Sequence, residues 1–229
     1  MEYLNPDEIK NNKNRLFELQ QRASWDIRSG RILNLTKEFI SNKSSVIVDA
    51  ASADGSLLAQ LSEAGYKNLT GADIDDYRHE AAQKFPFKKI DFCFDKFPWA
   101  DNSVDAVISS QTIEHLENPF HFGREASRIL KPGGIFIIST PNPFHILNRL
   151  LFLRHGDIYH FLEGDNHITF FTRSIFKKTF LKYFRLLAVR YGKSELKHWL
   201  FNWLQPLKHI LPSNQWFGRY IYYVLQKPQ

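Results

Sequence analysis

Three expected strands, each ending in an aspartate, constrain this chain more than any other feature. Val46-Ile47-Val48 closes on Asp49, Asn68–Ala72 closes on Asp73, and Lys88–Ile90 closes on Asp91. After Asp49 comes a loop of small residues, Ala50-Ala51-Ser52-Ala53-Asp54. Gly55 then opens a helix marked by Leu57, Leu58 and Leu61. A buried strand, a tight turn and a helix N-terminus form the front of a nucleotide-binding βαβ unit. The turn lets backbone N–H groups come close to a ligand, and an acid at the strand end can take a polar ligand group.

The alternation continues along the chain. Helices are expected over Trp25–Ile40, Gly55–Ala64, Tyr77–Lys84 and Pro119–Leu130, with Gly65 as a natural C-terminal cap. Val104–Ser109 and Ile135–Ser139 are apolar runs, the second apolar enough to be buried on both faces. Lys131-Pro132-Gly133-Gly134 is a strong turn signal between them. Strands alternating with helices at this spacing imply an α/β fold: a three-layer α-β-α, doubly wound, mostly parallel sheet. Ligands in such sheets bind beyond the C-terminal strand ends, which here carry Asp49, Asp73, Asp91 and Ser110-Gln111.

One domain over 1–229 is expected, in three parts. Residues 1–43 form a helical cap, with a weakly amphipathic helix over 6–22 preceding the one at 25–40. Residues 44–143 are the ligand-binding core. Residues 144–229 form a substrate-side lid. Within the lid, His145–Leu153 reads as an amphipathic helix, Gly156–Asn166 as a polar loop and His167–Phe171 as extended chain. Thr172–Lys182 is a helix capped by Thr172, and Phe184–Tyr191 and Tyr220–Leu225 are strands. An insertion over 194–214 carries Leu196, Trp199, Leu200, Trp203, Leu204, Leu207, Ile210 and Leu211 at helical spacing, with Pro206 as a kink. Core packing produces such a stripe. So does a helix lying on a membrane surface, and 196–211 is therefore a candidate peripheral membrane contact.

Charge separates the same parts. Residues 1–145 hold 17 Lys/Arg and 20 Asp/Glu, whereas 146–229 hold 13 and 4. The basic excess therefore belongs to the aromatic-rich last third, which suits an anionic substrate, nucleic acid or an anionic membrane face. The one cysteine, Cys93, excludes an intramolecular disulfide framework and fits a reducing compartment. The polar, acidic N-terminus is not a secretory signal, and no apolar run is long enough to span a membrane. The expected location is cytoplasmic, with peripheral attachment at the inner face of a membrane as the variant.

The order of motifs resembles the class I S-adenosylmethionine-dependent methyltransferases of the small-molecule type. The resemblance covers residues 44–143 and more loosely 165–190. It runs through Val48-Asp49-Ala50-Ala51-Ser52-Ala53-Asp54-Gly55, Gly71-Ala72-Asp73-Ile74, and Asp91-Phe92 with Phe97-Pro98-Trp99. It continues through Ser109-Ser110-Gln111-Thr112-Ile113-Glu114-His115-Leu116 and Arg128-Ile129-Leu130-Lys131-Pro132-Gly133-Gly134. The resemblance implies a seven-stranded sheet whose last strand is antiparallel, and S-adenosyl-L-methionine as cofactor. It implies that Asp49, Ala50, Ala51, Ser52 and Gly55 meet the methionine part, and that Asp73 takes the ribose hydroxyls. Ile74 would pack on adenine, Asp91 and Phe92 would hold the adenine edge and ring, and Ser110 and Gln111 would line the sulfonium side. Ala51 and Ala53 stand where the family has glycines. If either position needs a positive φ, alanine there costs about 1 kcal/mol or more and weakens cofactor binding.

Methyl transfer to a hydroxyl is helped by a base, and His115 and His167 are the candidate catalytic residues. No Cys/His/carboxylate spacing matches a metal site, so a metal-independent enzyme is expected. The basic, aromatic C-terminal insertion resembles that of methyltransferases of glycan and lipid-linked saccharide synthesis, which implies as acceptor a small hydroxyl compound, namely a sugar, a glycan or a lipid-linked saccharide. The absence of an Asn-Pro-Pro-aromatic tetrad after the fourth strand argues against amino methylation of a DNA base, and a nucleic-acid partner is not favoured. RNA or a quinone-type ring remains an alternative acceptor. A methyltransferase-like binding protein without catalysis remains an alternative from another class.

Overall fold

The computed structural model describes residues 24–159, 161–162, 166–193 and 211–229. Its strands are β1 (Val46–Ala50), β2 (Asn68–Asp73), β3 (Phe87–Lys89), β4 (Val104–Ser110), β5 (Leu130–Pro141), β6 (Arg185–Tyr191) and β7 (Tyr220–Gln226). Its helices are α1 (Ser24–Phe39), α2 (Ser56–Glu63), α3 (Pro119–Ile129), α4 (Ile146–His155) and α5 (Arg173–Thr179). The helix expected over 6–22 and the candidate membrane-surface stripe up to Ile210 lie outside the described residues.

The strands form one seven-stranded sheet in the order β3-β2-β1-β4-β5-β7-β6. β1 through β5 pair in parallel. β7 runs antiparallel to both β5 and β6, as expected for the last strand. The chain starts at the centre, winds outward to β3, then returns to build the other half from β4. The direction of winding reverses between β1 and β4, which opens a crevice beyond their C-terminal ends.

Alternation along each central strand explains why both faces are buried. Ile47, Ala106, Ile108, Ile137 and Val224 join Ile32 and Leu35 of α1 and Leu57, Leu58 and Leu61 of α2 in one core. Val48, Val107, Phe136, Ile138 and Leu225 face the other way, toward Phe122, Ala126 and Ile129 of α3 and Phe176 of α5. Side chains at i and i+1 of a strand point to opposite faces, so runs such as Ile135–Ile138 need a helix layer on each side.

Two expected elements differ. The helix expected over Tyr77–Lys84 is a single 3-10 turn, Glu80–Ala82. The His79 N–H donates to the Asp54 carbonyl at 3.0 Å instead of to a helical partner. Arg78 donates to the carbonyls of Ala82 and Phe85. These bonds divert the segment from a helical ladder. The Lys131–Gly134 turn is an excursion inside β5 rather than its start. Leu130 pairs with Val104, the register shifts, and Ile135 pairs with Ala106. Gly133, at φ 78°, supplies the left-handed step this requires.

Candidate active site

The loop after β1 folds back on the end of β2. The N–H groups of Ala51 and Ser52 both donate to the Ala72 carbonyl, at 2.8 and 3.0 Å. The Ala53 N–H donates to Asp73 Oδ2 at 2.9 Å. Residues 51, 53 and 55 all have positive φ, at 63°, 46° and 78°. The two alanines therefore occupy the left-handed positions that the sequence comparison assigned to glycines. An L-residue in that region carries about 1–2 kcal/mol of strain, and the three hydrogen bonds hold it there. Two glycines fix how the loop seats. A Cβ at Gly71 would lie 2.9 Å from Ser52 Oγ, and one at Gly55 would lie 2.5 Å from the Ala82 Cβ.

The carboxylates meet at this loop. Asp49 is 2% exposed, and its Oδ2 has no hydrogen-bond partner among the described residues. Burial first, then the neighbouring Asp73 and Asp54, pushes its carboxyl up to about 8. Asp73 is half-buried, and its Oδ1 accepts from the Ile74 N–H at 2.8 Å. Burial raises it to about 6, against the pull of the Ala53 and Ile74 N–H groups. Asp54 serves the helix, accepting from the Ser56 N–H at 3.0 Å and the Ser56 hydroxyl at 2.7 Å. A buried carboxyl oxygen lacking a donor, beside a second acid at a strand end, fits a ligand that brings a cationic amine and hydroxyls. S-adenosylmethionine carries both, so the residues present fit it.

The other expected cofactor residues lie along the same edge of the sheet. Ala50 and Ser52 are buried and Ile74 is half-buried. Asp91 Oδ1 accepts from the Cys93 N–H at 2.8 Å and closes the turn after β3. The Phe92 ring packs edge-on against Phe97 and Phe122, with centroids 5.3 and 5.4 Å away. The Phe92 ring thus belongs to the core. Ser110 Oγ lies 3.1 Å from Ser139 Oγ. Gln111, at φ 56°, donates from its amide side chain to the same Ser139 hydroxyl at 3.1 Å. Ser139 was read only as a strand residue. Its role depends on β5 lying beside β4, which no local pattern encodes.

Beyond Gln111 a 3-10 turn, Ile113–His115, leads away from β4. The segment 166–169 is stitched to it. The N–H groups of Ile168 and Thr169 donate to the Glu114 carbonyl at 2.8 and 2.9 Å, and Thr169 Oγ1 donates to the Leu116 carbonyl at 2.7 Å. The Asn166 carbonyl lies 2.9 Å from His115 Nδ1. His115 and His167, 52 residues apart in sequence, thereby come to a ring-centroid distance of 4.6 Å. Potential ligand atoms of Glu114, His115 and His167 lie within 4.8 Å of one another. Glu114 was not singled out from sequence. His145 is an N-cap, its Nδ1 accepting from the Leu147 N–H at 3.2 Å.

A third feature is a groove of about 510 Å³, lined by Phe144, Arg149, Thr172, Arg173 and Trp216 among others. Arg149 lies over the Trp216 ring at 4.0 Å, and Arg173 donates to Gln215 Oε1 at 2.6 Å. The groove sits near the same sheet edge, because the N-terminus of α4 is tied to the segment leading into β7 by the Ile146 N–H to the Trp216 carbonyl.

Comparison with known proteins agrees with this geometry. Residues 48–138 match the methyltransferase domain family. An uncharacterized methyltransferase of Mycobacterium tuberculosis is 30% identical over 96 residues, covering 41% of this chain and 38% of the relative. A methyltransferase-fold chain solved with the Trm112 methyltransferase activator of Haloferax volcanii superposes with a TM-score of 0.66 at 18% identity, over 95% of this chain and 98% of its own. A SAM-dependent methyltransferase from Archaeoglobus fulgidus superposes with a TM-score of 0.65 at 18% identity, over 93% and 99%. Residues 48–138 are thus similar to a methyltransferase domain, and the chain has the Rossmann-like α/β fold of these solved structures. The chain spans between 18% and 38% of the length of the curated relatives it matches. Among the described residues, no helix is long and apolar enough to cross a membrane.

Proposed function

We propose that this protein uses S-adenosylmethionine to methylate a hydroxyl group of a small acceptor, most specifically a sugar, a glycan or a lipid-linked saccharide. The observation that supports the reading is the meeting of His115 and His167 just past the end of β4. The cofactor supplies a methyl group already activated on a sulfonium, so the chain's task is placement, exclusion of water and handling of one proton. Asp49 and the 50–55 loop hold the methionine part, Asp73 the ribose hydroxyls, Ile74 and Asp91 the adenine, and Ser110 and Gln111 the reacting side. One imidazole of the pair takes the acceptor's hydroxyl proton as the new C–O bond forms.

The arginine-flanked groove supports an acceptor with an anionic group. α4 supports a lipid-linked one, because Leu150, Phe152 and Leu153 are 47%, 56% and 82% exposed beside Arg149 and Arg154. A second reading, a binding protein that has lost catalysis, is favoured by the left-handed Ala51 and Ala53.

Calorimetry with S-adenosylmethionine tests the first reading. We expect micromolar binding, and a loss of roughly 100-fold in Asp73→Ala, since hydrogen bonds to a charged group contribute about 1.5–3 kcal/mol each. Binding no tighter than millimolar, unchanged by the substitution, would refute it. Cofactor binding without turnover across hydroxyl acceptors would favour the second.

A further inference from the structure

The Glu114, His115 and His167 cluster has a chemistry that a proton-accepting pair does not need. A base requires one imidazole and a group to orient it. Here two imidazoles and a carboxylate converge, their ligand atoms within 4.8 Å of one another. The carboxylate is on a fully buried residue, Glu114 at 0% exposed, while both histidines are half-buried. Three donors held this way can form one side of a coordination sphere.

The surroundings fix the ligands' orientation. A carbonyl only accepts, so the contact of 2.9 Å to the Asn166 carbonyl places the proton of neutral His115 on Nδ1. The lone pair is then on Nε2. A ring nitrogen held by a backbone carbonyl while its partner nitrogen faces a metal is the usual outer-shell arrangement of a ligating histidine. The two main-chain bonds into the Glu114 carbonyl come from Ile168 and Thr169, the residues right after His167. Both halves of the cluster are therefore tied to each other by backbone, and the donor positions are set before any ligand arrives.

We propose that Glu114, His115 and His167 form a binding site for a divalent transition-metal cation on the acceptor side of the cofactor crevice. The donor set, two imidazole nitrogens and one carboxylate, suits zinc, cobalt, iron or manganese rather than calcium or magnesium, which prefer all-oxygen surroundings. The role assigned to the cation rests on the methyltransferase reading above. With it bound, the acceptor oxygen takes an open coordination position and its hydroxyl proton leaves to water, because a cation lowers the pKa of a coordinated hydroxyl. The oxygen lone pair then forms the C–O bond as the C–S bond breaks, and the sulfonium becomes a neutral thioether. In this form the imidazoles are ligands rather than bases. An acceptor with a second oxygen next to the reacting hydroxyl, such as a vicinal diol, can chelate and is the favoured substrate class.

The test uses the whole chain, stripped with a chelator and then titrated with Co²⁺ by visible absorption and with Zn²⁺ by calorimetry. We expect one equivalent to bind with micromolar affinity and d–d bands typical of nitrogen and oxygen ligands. Removing a ligand costs at least as much as removing an outer-shell partner, so His167→Ala and His115→Ala should each weaken binding by about 10–100-fold or more. Glu114→Gln should do the same if it folds. If it does not, His167→Gln, which keeps a polar side chain, carries the comparison. The proposal is overturned if the His115→Ala/His167→Ala double variant binds Co²⁺ as tightly as the unaltered protein, or if neither ion binds below millimolar. S-adenosylmethionine binding, measured in parallel, keeps the two readings apart. Cofactor binding with no Co²⁺ site would sink only the metal, and a Co²⁺ site without cofactor binding would sink only the methyl transfer.

Discussion

Ala53→Gly should stabilise this protein, although alanine-to-glycine substitutions ordinarily destabilise. Ala53 has φ 46° and Ala51 has φ 63°. Relieving a left-handed L-residue returns about 1–2 kcal/mol. Glycine gives back about 0.4–1 kcal/mol through the greater freedom of the unfolded chain. The net at Ala53 is a gain of about 0.5–1 kcal/mol, or a rise of about 1–4 °C in Tm for a chain of this size. Ala51 also packs against the core on one face of the sheet. Losing its methyl there costs up to about 0.8 kcal/mol, so Ala51→Gly should be near neutral. Ala59, inside α2, is the control, because the same change in a helix interior should cost about 1 kcal/mol. Urea and thermal unfolding of the three variants provide the assay. If Ala53→Gly lowers Tm as much as Ala59→Gly, the loop is not strained as described. Calorimetry on the same variants reads the functional side, where removing both methyl groups should leave cofactor affinity equal or tighter.

The remaining predictions follow from other parts of the site and its support. Asp49 has its folded pKa, about 8, above its ordinary value of 3.8, so the folded state holds a proton that the unfolded state releases. Ligand-free stability should therefore fall as pH rises from about 4 to about 8, and Asp49→Asn should flatten that slope in denaturant titrations while weakening cofactor binding. Gly55→Ala would force a Cβ 2.5 Å from the Ala82 Cβ at φ 78°, and a loss of roughly 2–3 kcal/mol in urea unfolding is expected. Arg128 donates to Glu125, to Asp101 and to the carbonyls of Trp99 and Phe97. Arg128→Ala should cost about 2–3 kcal/mol by loosening the 97–101 loop, with Arg128→Lys recovering only part of it, since one ammonium cannot span four acceptors.

Legibility from sequence tracked how local the cause was. The strand, loop and helix from Val46 to Glu63 stood in the sequence because β-branching, a small-residue turn and an i, i+3, i+4 leucine pattern each act within a few residues. The helix expected over 77–84 failed because its backbone donors were claimed from outside the segment, by the Asp54 carbonyl in the case of His79. The gathering of the strand-end acids was legible for the same reason as the strands, since a parallel sheet presents every strand's C-terminal end on one edge. Phe92 was expected to face a ligand and packs inward instead, because its ring found Phe97 and Phe122, and no strand-end rule says which way a ring turns.

By itself, then, the sequence determined the parallel α/β plan and the sheet edge that carries Asp49, Asp73 and Asp91. It also marked Ala51 and Ala53 as the residues to question, leaving the sign of φ to be found. Tertiary structure alone decided that both alanines are left-handed, because the hydrogen bonds that hold them come from Ala72 and Asp73 on another strand. It alone made Glu114, His115 and His167 one cluster. Two of those residues are adjacent and the third is 52 positions past His115. No spacing rule reaches across such a gap, and the hydrogen bonds between 114–116 and 166–169 close it.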